Sequence, residues 1–222
     1  KDNPFLTDAQ IADIEKGKKN AAWWRVYGLG LTGQLEGVIY EFEQIDQMPD
    51  AHGLVHIGGL DYGFTNSKTA GVFVLADTRR KALYVDEMFY GSGMHNFDII
   101  RALNAHGFPK AARLYADCAE PKANSELKLA GFNVWPSDKG KEIVFQISWL
   151  QQWEIFVTKS STNLIHEFRN YLWDTDRDGN RLNQPIKEYD HAMDAFRYAA
   201  FGQLADFRPP KHTTSKMTKM RN

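Results

Sequence analysis

The stretch D-H-A-M-D, residues 190 to 194, places two carboxylates and an imidazole within five positions at the head of an otherwise apolar run, A-F-R-Y-A-A-F. At about 100° per residue, Ala192, Phe196 and Ala199 fall on one face of a helix. Asp194 falls almost opposite them, with Asp190 and His191 to either side. That spacing fits a cap with a solvated face, and equally side chains turned into a polar cleft. Two more aspartates share the positional logic. Asp61 closes the β-like run L-V-H-I-G-G-L-D, and Asp117 closes R-L-Y-A-D. Aspartate is common at strand ends because it favours turns, so either one alone reads as structural. Together, on neighbouring parallel strands, they would emerge side by side and repel, and a bound divalent cation resolves such repulsion. Oxygen ligands suit Mg²⁺ or Mn²⁺, and one histidine is compatible with Mn²⁺. Two such ions about 3.5–4 Å apart activate a water and stabilise the leaving oxygen in phosphodiester cleavage.

The elements that must position these residues follow from periodicity and punctuation. From residue 54, three β-rich runs follow one another: L-V-H-I-G-G-L-D-Y-G, T-A-G-V-F-V-L-A-D-T and K-A-L-Y-V-D-E-M-F-Y. The second and third are joined by D-T-R-R-K, short enough for a hairpin, which implies an antiparallel meander. A helix over 94–107 follows, with apolar Phe97, Ile100 and Leu103 and a stop at Gly107. Strand R-L-Y-A-D-C, a helix over 121–130 with Pro121 in its first turn and Gly131 as its stop, and strand F-N-V-W-P come next. Helix I-V-F-Q-I-S-W-L-Q-Q-W leads to strand E-I-F-V-T. The stretch 160–173 reads as a helix with Leu164, Ile165, Phe168, Tyr171 and Leu172 on one broad face. Antiparallel strands first, then alternating helix and strand, is the order of an RNase H-like (RuvC-like) mixed α/β sheet and not of a doubly wound fold.

Composition narrows the function classes. The 222 residues are 43% hydrophobic and 13% aromatic, enough for one real core. No apolar run approaches the roughly 20 residues of a membrane span. Cys118 is the single cysteine, which excludes an intrachain disulfide and a Cys-built zinc site. Net charge is -1, so attraction to nucleic acid must come from local patches. One such patch closes the chain, where Arg208, Lys211, Lys216, Lys219 and Arg221 have no acidic neighbour and the composition is that of a disordered basic tail. Two motifs are decoys. G-L-G-L-T-G at Gly28, Gly30 and Gly33 matches a dinucleotide fingerprint, but a helical pattern precedes it and a β-like G-V-I-Y-E-F follows, the reverse of what the fingerprint needs. D-T-D-R-D-G-N at 174–180 begins like a calcium loop but puts Pro185 where a bidentate glutamate is required. A β-hairpin or loop is expected there, with D-G as the turn.

Four stretches carry a family resemblance: G-L-D-Y-G-F (59–64), A-D-C-A-E-P-K (116–122), N-L-I-H-E-F-R-N-Y-L-W (163–173) and D-H-A-M-D-A-F-R-Y (190–198). In this order they resemble the C-terminal nuclease domain of bacteriophage terminase large subunits. The resemblance implies a metal-dependent endonuclease that cuts double-stranded, concatemeric viral DNA during genome packaging. Its metal ligands would be Asp61, Asp117 and Asp194, with His191 as a ligand or proton shuttle, around Mg²⁺ or Mn²⁺ and two ions. Asp190 is expected as the N-cap of its helix. Glu120 is balanced between a place near the site and a plain helix start. Lys122, Lys139 and Lys141 are the expected phosphate contacts.

The resemblance also implies an organisation. Residues 1–52 would be the end of a motor domain and its linker, 53–206 the nuclease domain and 207–222 the tail. The chain contains no G-x-x-x-x-G-K-[ST] phosphate loop, so it is expected to be the C-terminal part of a longer protein. Its partners would be the ATPase domain of that protein, the terminase small subunit and the portal, at the procapsid in the host cytoplasm and not at a membrane. Two rivals remain open: another RNase H-like nuclease, such as a junction resolvase or transposase, and a cleavage-inactive portal or capsid docking module.

Overall fold

The computed structural model describes residues 37–63, 67–138, 140 and 142–205. Nine strands and five helices follow one another in these segments. They are β1 (Glu43–Ile45), β2 (Val55–Asp61), β3 (Lys68–Asp77), β4 (Ala82–Ser92), α1 (Asn96–His106), β5 (Arg113–Ala116), α2 (Pro121–Leu129), β6 (Asn133–Pro136), α3 (Ile143–Leu150), β7 (Glu154–Thr158), α4 (Thr162–Asn170), β8 (Trp173–Thr175), β9 (Arg181–Pro185) and α5 (His191–Leu204). The first seven form one mixed sheet in the order β1-β7-β4-β3-β2-β5-β6. β2, β3 and β4 make the expected antiparallel meander. β5 joins β2 in parallel and β6 joins β5 in parallel, so the mixed RNase H-like sheet read from the sequence is the one that forms.

Helices cover both faces of this sheet, which is why its central strands read as nearly continuous apolar runs. The period of two assigns each residue a side. Ile57 and Tyr115 face a core shared with Ile147 and Leu150 of α3, Leu164 and Phe168 of α4, and Phe196 and Ala199 of α5. Leu60, Leu114 and Ala116 face the opposite core, made with Ile99 and Leu103 of α1 and Leu127 of α2. Close approach to α5 is written into two glycines. A Cβ on Gly59 would lie 1.8 Å from the carbonyl oxygen of Ala195, and a Cβ on Gly202 would lie 2.6 Å from the ring of Tyr115. The helix therefore rests directly on β2 and β5.

Several expectations need adjustment. The hairpin between β3 and β4 forms as read, with Asp77 Oδ1 accepting the amides of Arg79 and Arg80. In α1, Ile99 and Leu103 are the buried residues, while Phe97 is 70% exposed. The buried stripe is thus centred on Ile99 and Leu103, with Ile100 packed beside them, and Phe97 falls about 160° from Ile99 on the wheel. α4 stops at Asn170, and Tyr171 and Leu172 leave it in extended backbone leading into β8, yet both remain buried. Residues 174–180 form the expected turn between β8 and β9, closed by Asp176, which accepts the amides of Asp178 and Asn180.

Residues ahead of 53 also contribute to the sheet and its core. Ile39 and Tyr40 are buried in the α5-side core, and β1 pairs in parallel with β7. The helical pattern expected ahead of Gly28, the glycine loop at 28–33, Lys139, Lys141 and the basic tail lie outside the described residues.

Candidate metal centre

Asp61 and Asp117 come together because the ladder between β2 and β5 is parallel and in register. Leu60 lies opposite Ala116, and the Asp117 amide continues the pairing by donating to the Leu60 carbonyl at 3.1 Å. The two aspartates therefore leave neighbouring strands at the same end, strands that lie about 4.8 Å apart. By the period of two they share the side of Gly59 and Tyr115, which is the side covered by α5. Asp61 is 8% exposed, and Asp117 is half-buried.

The Gly59 contact brings the first turn of α5 over Asp61. His191 Nδ1 lies 3.2 Å from Asp61 Oδ2, and His191 Nε2 lies 3.3 Å from Ser67 Oγ. Asp194 follows three residues later, still in the first turn, where its carboxylate accepts from Arg197 Nη2 at 2.7 Å and from the Tyr198 hydroxyl at 3.3 Å. Arg197 also donates to Gln146 Oε1 of α3 at 2.7 Å. Gln146 Nε2 in turn donates to the carbonyl of Asp138, which opens the loop containing Lys139 and Lys141.

The electrostatics show a strained acidic centre. Burial pushes the Asp61 carboxyl up to about 6, and the charges of Asp194 and Asp117 add to the effect while the His191 hydrogen bond opposes it. The same hydrogen bond to Asp61 raises His191, against the effect of its own burial. The Tyr198 hydroxyl is raised by burial first, then by Asp194, Asp61 and Asp117. One phenol thus feels all three carboxylates. Asp190 is raised by burial and by Asp194.

The residues are neighbours but not a closed coordination shell. Among the described residues no three His, Cys, Asp or Glu side chains converge on one point. Asp117 Oδ1 accepts the amide of Ala119 at 2.9 Å, and Asp194 is engaged by Arg197. Lys122 is exposed on the first turn of α2, and Glu120 stands exposed at the N-cap position of that helix without a side-chain cap bond.

Asp190 takes the N-cap position of α5 read from the sequence but its side chain makes no cap bond, and sequence reasoning missed two residues. The cap comes instead from Glu167 of α4, whose Oε2 accepts the amides of Ala192 at 2.6 Å and Met193 at 3.1 Å. A cap bond from another element satisfies the same orphan amides, and Asp190 sits beside the His191 ring, with Oδ1 4.0 Å from Nδ1. The signal was weak: on the α4 wheel Glu167 only borders the apolar stripe, about 60° from Leu164 and about 100° from Phe168. Asn124 was also missed. It accepts from the Tyr62 hydroxyl at 2.9 Å and donates to the Asp117 carbonyl at 2.9 Å, fixing the loop that carries Asp117.

Comparison with known proteins places this geometry. The model of the terminase RNase H-like domain matches residues 61–201. The chain belongs to the terminase RNase H-like domain family. A terminase large subunit of Bacillus phage SPP1 is 30% identical over 211 residues, 89% of this chain and 49% of the relative; the chain thus spans about half of that relative's length. The crystal structure of the large terminase nuclease domain of bacteriophage SPP1 with bound Mn superposes with a TM-score of 0.66 at 23% identity, over 74% of this chain and 97% of that one. The large terminase nuclease of thermophilic phage G20c with bound magnesium superposes at 0.52 with 16% identity, over 76% and 98%. The fold of this terminase domain is therefore that of large terminase nuclease domains. No described helix is long and apolar enough to cross a membrane.

Proposed function

We propose that this terminase domain is a divalent-metal-dependent endonuclease that cuts double-stranded viral DNA during genome packaging. The observation that carries the reading is the pairing of Asp61 with Asp117 on adjacent parallel strands beneath the first turn of α5. The donors fit the ions named for the SPP1 and G20c domains: carboxylate oxygens and one imidazole suit Mn²⁺ and Mg²⁺. A carboxylate pushed up to about 6, by burial first and by Asp194 and Asp117 in addition, is a group whose charge is poorly compensated by the chain alone.

Asp61, Asp117 and Asp194 would hold two ions, with His191 as a further ligand or proton carrier. Bound there, the ions supply Lewis-acid charge and a water ionised near neutral pH. The chain's own contributions are distinct. The parallel ladder fixes Asp61 and Asp117 relative to one another, and the Tyr62–Asn124 bonds hold the Asp117 loop. His191, bonded to Asp61 and Ser67, is placed to hold a proton at the edge of the carboxylates. Arg197 and the Tyr198 hydroxyl hold the Asp194 carboxylate, so ligation by Asp194 would share or exchange these partners. Lys122, Lys139 and Lys141 are proposed phosphate contacts, supplying locally the positive charge the whole chain lacks.

The partners of this reading are double-stranded DNA, an ATPase domain in the same protein, the terminase small subunit and the portal, at the procapsid in the host cytoplasm. The engagement of Asp194 by Arg197, with no three ligating side chains converging among the described residues, suits the rival, a docking module without cleavage. Plasmid nicking separates the two. Wild-type chain with Mn²⁺ is expected to nick supercoiled DNA, and Asp61→Ala or Asp117→Ala to abolish nicking while circular dichroism stays unchanged. Equal cleavage by the variants would remove both residues from the site.

A further inference from the structure

We propose that Glu167 is a positioning residue of the metal centre, a buried carboxylate on α4 that fixes the first turn of α5 and thereby the places of His191 and Asp194. The inference rests on the metal-centre reading above. Three observations carry it. Glu167 is 1% exposed, a rare position for a carboxylate. Its side chain bonds two other elements: Oε2 takes the amides of Ala192 and Met193, the second and third residues of α5, and Oε1 accepts from the Tyr90 hydroxyl of β4 at 2.7 Å. The residue before Glu167 reinforces the same junction, since the His166 ring meets Tyr189 edge-on at 5.2 Å, and Tyr189 carries the left-handed φ of +58° that turns the chain into α5.

The physical need is plain. The first turn of a helix has orphan amides and frays unless they are satisfied. Both α5 residues of the candidate centre lie in that turn, and Asp190 leaves the amides of Ala192 and Met193 without a local cap. Glu167 ties the turn to β4 and α4 instead, independently of the packing of Phe196 and Ala199 further along. Groups that orient ligands in this way typically change metal affinity by 10–100-fold when removed.

Calorimetric Mn²⁺ titration of the full 222-residue chain tests this, with Asp61→Asn as the non-binding reference, alongside hydrogen exchange at the Ala192 and Met193 amides. Glu167→Gln keeps an oxygen on these amides and loses the charge. Glu167→Asp keeps the charge and retracts it by one methylene; Glu167→Ala removes both. Position predicts that Gln stays within about threefold of wild-type affinity and retains amide protection. It predicts that Asp and Ala bind Mn²⁺ at least about tenfold more weakly and lose protection at Ala192 and Met193, with Phe196 to Ala200 still protected. If the Ala variant does not fold, the Asp and Gln pair decides. Full affinity in the Asp variant with weak binding in the Gln variant would mean that charge acts and not position, and would overturn the proposal. Undiminished affinity in the Asp and Ala variants would overturn it too. Failure of the wild-type chain to bind above the Asp61→Asn reference would instead overturn the metal-centre reading, a distinguishable result.

Discussion

Asp61→Asn removes one negative charge from a buried, acidic corner while preserving shape and the ability to bond His191, so it isolates the electrostatic strain at the centre. The shift from the ordinary 3.8 to about 6 corresponds to about 3 kcal/mol at about 1.4 kcal/mol per pKa unit. The sign follows from which state holds the proton more tightly. A raised carboxyl is protonated more readily in the folded chain than in the unfolded one, so its stabilising contribution is complete below about pH 4. It declines between 4 and 6 and is gone above 6, where the ionised group opposes folding. Relative to wild type, the neutral Asn is therefore expected to stabilise the metal-free chain by about 1–3 kcal/mol at pH 8, the upper figure being the full electrostatic strain, and by almost nothing at pH 3.5. In a domain of this size the gain at pH 8 raises the Tm by roughly 3–10 °C. Urea unfolding in chelator at the two pH values measures it. Mn²⁺ at about 100 times its Kd adds about 2.7 kcal/mol to the wild type and nothing to the variant, closing or reversing the gap. An Asn variant that is equally or less stable than wild type at pH 8 without metal would refute the strain argument.

Two more predictions follow from the same geometry. Gly59→Ala places a methyl 1.8 Å from the Ala195 carbonyl, so α5 must move off β2; a loss of about 1–3 kcal/mol in urea unfolding is expected, together with weakened Mn²⁺ binding in calorimetry. Protons and Mn²⁺ compete for Asp61, and for His191 where it ligates, so apparent Mn²⁺ affinity should fall by at least about tenfold per unit below pH 6, a profile that calorimetry at several pH values would show or exclude.

The sheet was legible in the sequence because its information is local. β2, β3 and β4 carry long apolar runs with turn residues between them, and Asp61 and Asp117 stand where the runs of β2 and β5 stop. Pairing β2 with β5 needed only the order of elements. What was not legible depends on residues far apart in the chain. Glu167 caps a helix 25 positions downstream, and nothing near Asp190 reveals that the local candidate is displaced. The short β1 pairs with β7, more than 100 residues later, and its three residues carry no strand signal of their own. The exposure of Phe97 reflects where α1 crosses its core, which apolar spacing within one helix cannot define. Gly59 illustrates the middle case: the sequence offers a glycine in a strand, and only the packed helix explains it.

The central claim is that Asp61, Asp117 and Asp194 hold divalent ions together. A crystal of the chain grown in Mn²⁺, with anomalous diffraction recorded at the manganese edge, tests it most directly. The account predicts anomalous peaks between Asp61 and Asp117, with Asp194 completing the shell. Saturating Mn²⁺ with no peak between these carboxylates, or with ions only at other residues, would contradict it.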